Sequence, residues 1–353
     1  MVSGSNGLLD RPSIENIKRM SNLSHRLCVA PMMDWTDRHC RYFLRLVSPR
    51  ARLYTEMITT GALMFGNVAR HLDYDPAEHP IALQLGGSDP QALAHCARLG
   101  EAWGYDEINL NVGCPSERVQ TGSFGACLMA DPALVADCVA AISDAVALPV
   151  TVKHRVGIDA IEAYEFVHHF VATVAQAGAS AFFVHARNAI LKGLSPKENR
   201  ELPPLKYDYV HRLKRDFPNL TIVINGGIES HGAIARELEH VDGVMIGRAA
   251  YHHPWLLTEA DRLCFGEDAN ALAGRSRAEV VEALVPYAEA QLAEGVSLRA
   301  IARHVLGLYH GKPGARAWRR MLSDERQLKA AGPGLFLHAL REVEPEELVA
   351  TSG

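Results

Sequence analysis

A repeated alternation of short apolar runs and helix-like stretches is the feature that most constrains the fold of this chain of 353 residues. Eight apolar runs recur over roughly 230 residues, at 26–31, 51–56, 81–86, 107–110, 150–153, 181–185, 221–225 and 243–246. Amphipathic stretches separate them, at 36–46, 90–103, 132–145, 160–177, 207–217 and 231–239. Strands too apolar to face water, each followed by a helix, predict a parallel sheet covered by helices.

The number of these units decides between two parallel architectures. Eight strand–helix units favour a closed barrel over an open doubly wound sheet. The open sheet has less support because no GxGxxG segment follows the first apolar run. We therefore predict an α/β fold of the (β/α)8 TIM-barrel type.

The pattern changes after Trp255, and no β-rich run occurs between 277 and 340. Apolar residues recur there at helical spacing, as in Val281, Leu284, Ile301 and Val305, which predicts a C-terminal all-helical domain. We divide the chain into a loose polar N-terminal extension at 1–24, a catalytic barrel at 25–265 and a helical domain at 275–345, joined through 265–274.

Composition favours an ordinary globular protein, because 48% of the residues are hydrophobic. No apolar run approaches the roughly 18 residues of a membrane span, and the first residues lack a secretory apolar segment, so we expect a cytoplasmic protein. The seven cysteines form no CxxC pair and the 17 histidines contain no HExxH motif, so we expect reduced thiols and no metal. We also expect a monomer.

The charge is distributed unevenly along the chain. The net charge is -5, which does not indicate a nucleic-acid binder. The segment 296–329 nevertheless carries eight Lys or Arg against two acidic residues, a local charge of +6. Such a stretch is more often a solvated helix face, but it can also receive a polyanion.

Active sites of such barrels are built at the C-terminal ends of the strands. Nearly every predicted strand end carries a polar residue or a glycine. The candidate site residues at these ends are Pro31, Met32, Met33, Gln84, Asn109, Asn111, Cys114, Lys153, His154, Arg155, His185, Arg187, Asn225, Gly226, Gly227, Gly247 and Arg248.

Cys114 stands out in this set. A lone cysteine is more often a small buried apolar residue than a catalytic one. Here Gly113 lets a ligand approach, Pro115 fixes the backbone after the thiol, and the nearby amides of Asn109 and Asn111 can bind a planar polar group. A glycine-rich turn at 121–129 follows and is expected to open a helix. We expect a loop that displays both amides and the thiol for chemistry.

The last two strand ends predict a phosphate site. Gly226, Gly227 and Gly247 precede helix-like stretches, so their backbone N–H groups can surround a phosphate, and Arg248 adds a positive charge. Asn225-Gly-Gly227 alone could be an ordinary tight turn. The pair of turns favours a phosphorylated cofactor.

The remaining strand-end residues suit a flavin. Gln84 and Lys153 can bind the edge of a flat heterocycle, and a lysine near N1 stabilises an anionic reduced flavin. Pro31, Met32 and Met33 offer an apolar wall for a ring face. FMN fits better than FAD because no adenosine-binding motif is present. Alternatively, Lys153 forms a Schiff base as in aldolase-type barrels, but Cys114 then has no role.

At these residues the sequence resembles the tRNA-dihydrouridine synthase family. The matching motifs span about residues 25–345 and are Ala30-Pro-Met-Met33, Tyr54-Thr-Glu-Met57, Gln84-Leu-Gly-Gly87, Asn109-Leu-Asn-Val-Gly-Cys-Pro-Ser116, Thr151-Val-Lys-His-Arg155, His185-Ala-Arg187, Asn225-Gly-Gly-Ile228 and Gly247-Arg248. The segments 121–127 and 311–320 resemble the bacterial A-type branch, which is associated with uridines 20 and 20a of the tRNA D-loop.

The resemblance implies reduction of the uracil C5–C6 double bond in folded tRNA, with FMN first reduced by NADPH. A hydride would reach C6 and Cys114 would donate the proton at C5. Asn111 would hold the uracil edge, and His185 with Arg187 would bind flavin phosphate or substrate.

The resemblance also implies a tRNA partner for the basic residues. The base must leave the tRNA fold to reach the flavin. We expect the RNA backbone to contact Lys197, Arg200, Arg316, Arg319 and Arg320. Tyr309 and Trp318 lie among the arginines of the C-terminal helices and are expected to share this surface. Two other functions stay open: a flavin dehydrogenase for free dihydropyrimidines, and a non-catalytic RNA-binding protein.

Overall fold

A computed structural model describes residues 25–161, 163–266 and 275–344. The predicted N-terminal extension at 1–24 lies outside the described residues. So do most of the predicted joining segment and residue 345 at the predicted end of the helical domain.

Nine parallel strands form one barrel, which confirms the predicted fold class. They are β1 Leu27–Val29, β2 Leu53–Tyr54, β3 Ile58–Thr59, β4 Ile81–Gly86, β5 Glu107–Val112, β6 Val150–Ile158, β7 Ala181–Ala189, β8 Thr221–Asn225 and β9 Gly243–Ile246. The sheet order is β1-β9-β8-β7-β6-β5-β4-β2, and β3 also pairs with β4. A bridge between Cys28 and Arg52 joins β1 to the β2 edge and closes the ring.

The second predicted strand, at 51–56, is divided in the structure. β2 and β3 occupy successive levels of the same barrel position, because both pair with β4. The interruption has a local cause: the N–H of Gln84 donates to the side-chain hydroxyl of Thr55 at 3.0 Å instead of to a backbone carbonyl.

The fourth, fifth and sixth predicted strands are longer in the structure than in the prediction. β5 continues to Val112, β6 to Ile158 and β7 to Ala189. Polar side chains such as Asn111 and Arg155 interrupt the apolar runs but are buried in the barrel. Strand pairing therefore continues past them, with one irregularity between Arg155 and Gly157.

Helices cover the outside of the barrel. They are α1 Arg38–Val47, α2 Thr60–Phe65, α3 Val68–Leu72, α4 Pro90–Trp103, α5 Glu117–Thr121, α6 Pro132–Ala145, α7 Tyr164–Gln176, α8 Tyr207–Asp216, α9 His231–Glu237, α10 Arg248–His252 and α11 Leu256–Phe265. Single 3-10 turns occur at Pro76–Glu78, Gly125–Ala130 and Glu198–Arg200. The predicted helix at 160–177 begins later because Asn188 binds the carbonyls of Asp159 and Ile161 in a turn.

The C-terminal region is helical, as predicted. Its helices are α12 Arg277–Ala293, α13 Leu298–Val305, α14 Ala315–Ser323, α15 Glu325–Ala330 and α16 Gly334–Val343. Ser276 begins α12 with a capping box to Glu279. Ile301, Trp318 and Phe336 are fully buried between these helices.

The helical region is attached to α1 of the barrel. The ring of Tyr42 stacks on that of Tyr287 at 3.8 Å, and Tyr287 Oη lies 2.7 Å from His39 Nδ1. Asp37 caps α1 and also pairs with Arg303 and His304 of α13. Burial alone would raise the pKa of Asp37. The hydrogen bond with His304 and the charge of His304 instead hold that pKa well below its usual range.

Two apolar layers support the fold. One fills the space between strands and outer helices. The other fills the lower barrel interior with Cys28, Ala30, Tyr54, Ala82, Ala181, Phe183, Val223 and Met245. Within the described residues, no helix is both long and apolar enough to span a bilayer.

Candidate active site

Inward-facing side chains form a polar ring above the apolar interior layer. Gln84, His185 and Asn225 each lie two residues beyond a member of that layer, and alternate residues of a strand face the same side. Lys153 Nζ reaches across β7 to donate to Asn225 Oδ1 at 3.0 Å. The structure therefore brings these predicted residues together at the C-terminal mouth of the barrel.

The amides at the end of β5 are strand residues and not loop residues. Asn109 is fully buried and accepts from Gln84 Nε2 at 2.7 Å, so the expectation that a loop displays it is wrong. Asn111 donates from Nδ2 to Gln84 Oε1 at 2.9 Å. Its Oδ1 accepts the backbone N–H groups of Gly113 and Cys114, at 3.1 and 3.0 Å. Asn111 thus fixes the start of the Cys114 loop.

Cys114 is half-buried, whereas five of the seven cysteines are buried. Its Sγ lies 3.5 Å from Ser116 Oγ. Gln120 Nε2 holds the loop by donating to the carbonyls of Pro115 and Leu191, at 2.8 and 2.7 Å. The thiol therefore sits on a loop tied to its neighbours on both sides.

The glycine-rich turn after this loop precedes α6, which begins at Pro132, so a helix follows the turn as predicted. It leads into the 3-10 turn Gly125–Ala130, whose Ala126 N–H donates to the Cys114 carbonyl at 2.9 Å. Gly125 has φ +78, and a Cβ there would lie 2.6 Å from the Cys114 carbonyl oxygen. The turn therefore packs directly under the thiol loop and needs glycine to do so.

Arg155 is a residue of this site whose role sequence reasoning missed. It is buried and donates to three backbone carbonyls: from Nε to Gly113 at 3.1 Å, and from Nη1 to Asn188 and Asn199 at 3.1 and 2.9 Å. Burial lowers its pKa to about 10. Arg155 thereby ties the Cys114 loop to the loop that carries Arg200.

Lys153 and His185, the two basic side chains of the polar ring at the mouth, are disfavoured in their charged forms. Burial and then the charge of Arg155 lower the pKa of Lys153 to about 7. The same two causes hold the pKa of His185 well below its usual range. An anion bound here would reverse both effects, because it favours the charged forms. Binding of an anion would therefore be accompanied by proton uptake on these groups.

The turn after β8 has the backbone that was predicted for a phosphate site. Gly226 and Gly227 have φ +111 and +69. A Cβ on Gly226 would lie 2.7 Å from the His185 ring, and one on Gly227 would lie 2.8 Å from Leu205. Both positions require glycine, because φ is positive and a Cβ would press on these neighbouring side chains.

Arg248 and the predicted apolar wall fit the predicted cofactor site only in part. Arg248 begins α10 after Gly247 and pairs with Glu201 at 2.5 Å, so an anion would share it with that carboxylate. Pro31 and Met32 are half-buried, and Met32 packs on the interior layer. Met33 is 54% exposed, more than either of them.

The predicted tRNA-contact residues fall into two places. Lys197 and Arg200 are exposed at the turn Glu198–Arg200, and Arg187 is half-buried with Nη1 donating to the Pro203 carbonyl. Arg316, Arg319 and Arg320 are exposed on α14. α10 contacts the neighbourhood of the turn through the Arg248–Glu201 pair and contacts α13 of the helical region, because Tyr251 donates to the Arg303 carbonyl at 3.3 Å.

The expectation that Tyr309 and Trp318 lie among the RNA-contacting arginines is wrong. Both are buried, and Trp318 Nε1 donates to the Val305 carbonyl at 2.9 Å. Their rings contact each other with centroids 4.9 Å apart. They form the core of the helical region, while the arginines occupy the opposite face of α14.

Several large apolar side chains are exposed on the barrel, a feature that the sequence analysis did not anticipate. Phe65 is 85% exposed. Of the seven large apolar side chains that are exposed among the described residues, six lie on segments that follow the C-terminal end of a strand: Met33, Met64, Phe65, Ile161, Leu202 and Leu205. Met64 and Phe65 are neighbours in α2, and Leu202 and Leu205 are close to each other in the segment after β7.

Comparison with known proteins agrees with the geometry of this mouth. Residues 28–344 match the family model described as dihydrouridine synthase (Dus). A Yersinia pestis protein named tRNA-dihydrouridine(20/20a) synthase is 55% identical over 329 residues, which cover 93% of this chain and 94% of that protein.

Two further relatives carry the same name. The Synechocystis sp. protein is 57% identical over 315 residues, covering 89% of this chain and 93% of its own. The Escherichia coli K12 protein is 56% identical over 324 residues, covering 91% and 92%. The chain belongs to the dihydrouridine synthase family.

Proposed function

We propose that this protein reduces the C5–C6 double bond of uridines 20 and 20a in the tRNA D-loop to 5,6-dihydrouridine. The observation that carries the proposal is the Cys114 loop, which holds a half-buried thiol next to Asn111 at the C-terminal mouth of the barrel. The names of relatives that are 53–57% identical support the choice of tRNA and of these nucleotides.

Dihydrouridine synthases depend on a flavin, and the mouth has groups that fit FMN. The cradle would consist of the Gly226-Gly227 turn, whose positive φ values favour glycine, together with Gly247 and Arg248. Gln84 and Lys153 would bind the ring edge, Asn225 would hold Lys153, and Pro31 and Met32 would face the ring. FMN, reduced by NADPH, would supply the hydride that adds to uracil C6.

His185 and Arg187 complete the anion site in this proposal. His185 lies against Gly226, where its ring borders the phosphate cradle. Burial and neighbouring cations disfavour its charged form, so a bound phosphate would stabilise a proton on the ring. Arg187 is assigned to the phosphate or the substrate. Met33 stays a weaker member of the flavin set because of its exposure.

Cys114 would donate the proton at uracil C5. Negative charge grows toward C5 and O4 when C6 is attacked, and a thiol on the opposite face of the base can release a proton there. Asn111 has one amide hydrogen left after its bond to Gln84. That hydrogen would bind a uracil carbonyl and align the ring with the thiol.

The basic and apolar surfaces would bind the tRNA outside the reacting base. A uridine has to be turned out of the tRNA fold to enter the mouth. Lys197, Arg200, Arg316, Arg319 and Arg320 would contact phosphates, and exposed side chains such as Phe65 would contact neighbouring bases. The proposal includes a catalytic barrel at 25–265, a tRNA-binding region at 275–345, a monomer and a cytoplasmic location.

A direct test uses tRNA transcripts that lack modifications. They are incubated with the protein, FMN and NADPH, and dihydrouridine is mapped nucleotide by nucleotide. We expect it at positions 20 and 20a, and not in a matched transcript with cytidines at both positions.

Free uracil and uridine form a second arm of this test. The proposal is overturned if the free pyrimidines are reduced while the tRNA is not, which would favour a small-molecule flavin dehydrogenase. It is also overturned if tRNA binds but neither substrate is reduced, which would favour a non-catalytic RNA-binding protein.

A further inference from the structure

A continuous line of hydrogen bonds begins at Glu107, deep in the barrel. The Thr151 hydroxyl donates to Glu107 Oε1 at 2.6 Å. Asn109 Nδ2 in turn donates to Thr151 Oγ1 at 2.8 Å. All three residues are fully buried, so no water competes for these bonds.

The line continues upward to the thiol loop. Gln84 Nε2 donates to Asn109 Oδ1 at 2.7 Å, and Asn111 Nδ2 donates to Gln84 Oε1 at 2.9 Å. Asn111 Oδ1 then accepts from the backbone N–H groups of Gly113 and Cys114. Every bond in the line therefore points toward Glu107.

Charge at the lower end sets this direction. Glu107 also accepts from the Tyr54 hydroxyl at 2.8 Å and pairs with His25 at 2.7 Å and with Arg52 at 3.0 Å. Burial alone would raise the pKa of Glu107, but the charges of His25 and Arg52 lower it to about 2. The carboxylate is thus ionised and can only accept hydrogen bonds.

An acceptor at the base of the line fixes the orientation of every group above it. Thr151 has one hydroxyl hydrogen, which Glu107 takes, so Thr151 can only accept from Asn109. The amide of Asn109 must then present its oxygen to Gln84, and the amide of Gln84 its oxygen to Asn111. A reversed amide would set donor against donor, or acceptor against acceptor, in a buried site.

We propose that Thr151, anchored by Glu107, is a positioning residue that sets the amide orientations of Gln84 and Asn111 and thereby places Cys114. Thr151 touches no substrate and acts through the amides above it. Loss of its hydroxyl would leave those amides free to reverse, and the thiol loop would lose its fixed start. This inference rests on the function proposed above.

The chain offers closely matched variants for a test. Thr151→Val deletes the hydroxyl with little change in volume, and Thr151→Ser retains it. Tyr54→Phe removes a different buried hydrogen bond to the same Glu107 oxygen and leaves the amide line intact. All three are compared with wild type for melting temperature, flavin content, and single-turnover tRNA reduction over a range of tRNA concentrations.

We expect Thr151→Val to lower the maximal single-turnover rate by about 10- to 100-fold, the cost of a misplaced reacting group. The tRNA concentration at half-maximal rate should stay within about twofold, because binding contacts are unchanged. Thr151→Ser and Tyr54→Phe should react close to the wild-type rate. The inference is overturned if Thr151→Val matches Tyr54→Phe in maximal rate, or if Thr151→Ser does not restore it.

A second readout separates this inference from the proposed function. The rate at which iodoacetamide alkylates Cys114, followed by peptide mass spectrometry, reports the placement of the loop without any turnover. We expect faster alkylation in Thr151→Val than in wild type and Tyr54→Phe. If wild type makes no dihydrouridine, the proposed function fails, and an unchanged alkylation rate in Thr151→Val then overturns the inference independently.

Discussion

The mouth of the barrel and the C-terminal helices both carry basic side chains, but in opposite physical settings. Lys153 and Arg155 in the mouth are held to named partners at fixed distances, and burial lowers the pKa of each. Arg316, Arg319 and Arg320 on α14 are exposed. The mouth can therefore act on one ligand at one place, whereas α14 offers charge to any nearby polyanion.

This difference determines how each region responds to mutation. A buried group has fixed partners and no water to replace them, so its loss has a large and specific effect. An exposed arginine contributes to binding through a charge that salt screens. Its loss should weaken binding slightly, this loss should add to the losses from neighbouring arginines, and it should disappear at high salt. We therefore expect mutations in the mouth to affect the reaction rate, and mutations in the C-terminal helices to affect tRNA binding.

The largest effect is expected from the thiol. Cys114→Ala should lower dihydrouridine formation by about 10² to 10⁴ because a positioned general acid is lost. Binding of tRNA should not change. Product formation is measured under single-turnover conditions, with Cys127→Ala as the control, since that half-buried thiol bonds to the Phe124 carbonyl in the turn below. Equal rates for both variants would contradict the assignment.

The next effect concerns the helices and should be purely electrostatic. The triple variant Arg316→Ala, Arg319→Ala, Arg320→Ala should bind tRNA more weakly. The slope of log affinity against log salt should fall in magnitude by about 2 to 3, because each lost phosphate contact removes about 0.7 to 0.9. Binding is measured by fluorescence anisotropy at several salt concentrations.

The control for this variant carries the same charge change elsewhere. Arg98, Arg215 and Arg236 are exposed on the outer barrel helices, and their triple alanine variant should keep the wild-type salt slope. If the two triple variants lose the same slope, tRNA is held by overall charge and α14 has no special part.

A smaller effect is expected at the cradle. Gly226→Ala should destabilise the protein by about 1 to 3 kcal/mol, because an alanine there is strained at positive φ and its Cβ would press on His185. Flavin retention should fall as well. Gly232→Ala is the control, because its Cβ would meet nothing closer than 3.8 Å in helix α9. Similar melting temperatures for both variants would count against a tight cradle.

The smallest expected effect is the number of protons that the protein takes up when FMN binds. Lys153 has a pKa of about 7 without a ligand, so at pH 8 it is mostly uncharged. A bound anionic flavin would raise that pKa, so the protein should take up a proton, about one per FMN at most. Uptake should decrease below pH 7, where Lys153 is already protonated.

Calorimetry in buffers of different ionisation enthalpy measures this uptake directly. Lys153→Met retains similar side-chain length and should reduce the uptake at pH 8 by the share that Lys153 contributes, leaving only the share of His185. Undiminished uptake in that variant would assign the proton to another group, and the sequence-based placement of Lys153 beside the flavin would be wrong.

Local signals made part of the fold predictable to the residue. Helices α4 and α6 begin and end where expected, because an aspartate cap and a proline at the first helical position mark each start. The ring of Gln84, Lys153, His185 and Asn225 was also predicted, since barrel geometry places strand ends together.

Long-range partnerships were not predictable from the sequence. Glu107 and Thr151 look like ordinary members of apolar runs, and only the closed barrel brings them into one line with Asn109. Arg155 reads as one more cation, yet its three carbonyl partners come from distant segments. Trp318 among arginines suits an RNA surface or an amphipathic helix equally well, and burial decides for the latter.

The central claim is that the mouth performs the chemistry and the C-terminal helices bind the tRNA. It is tested most directly by single-turnover reduction at increasing tRNA concentration, for wild type, Cys114→Ala and the α14 triple variant. We expect Cys114→Ala to lower the maximal rate without moving the half-saturating concentration, and the triple variant to raise that concentration without lowering the maximal rate. The reverse assignment of the two effects would contradict the account.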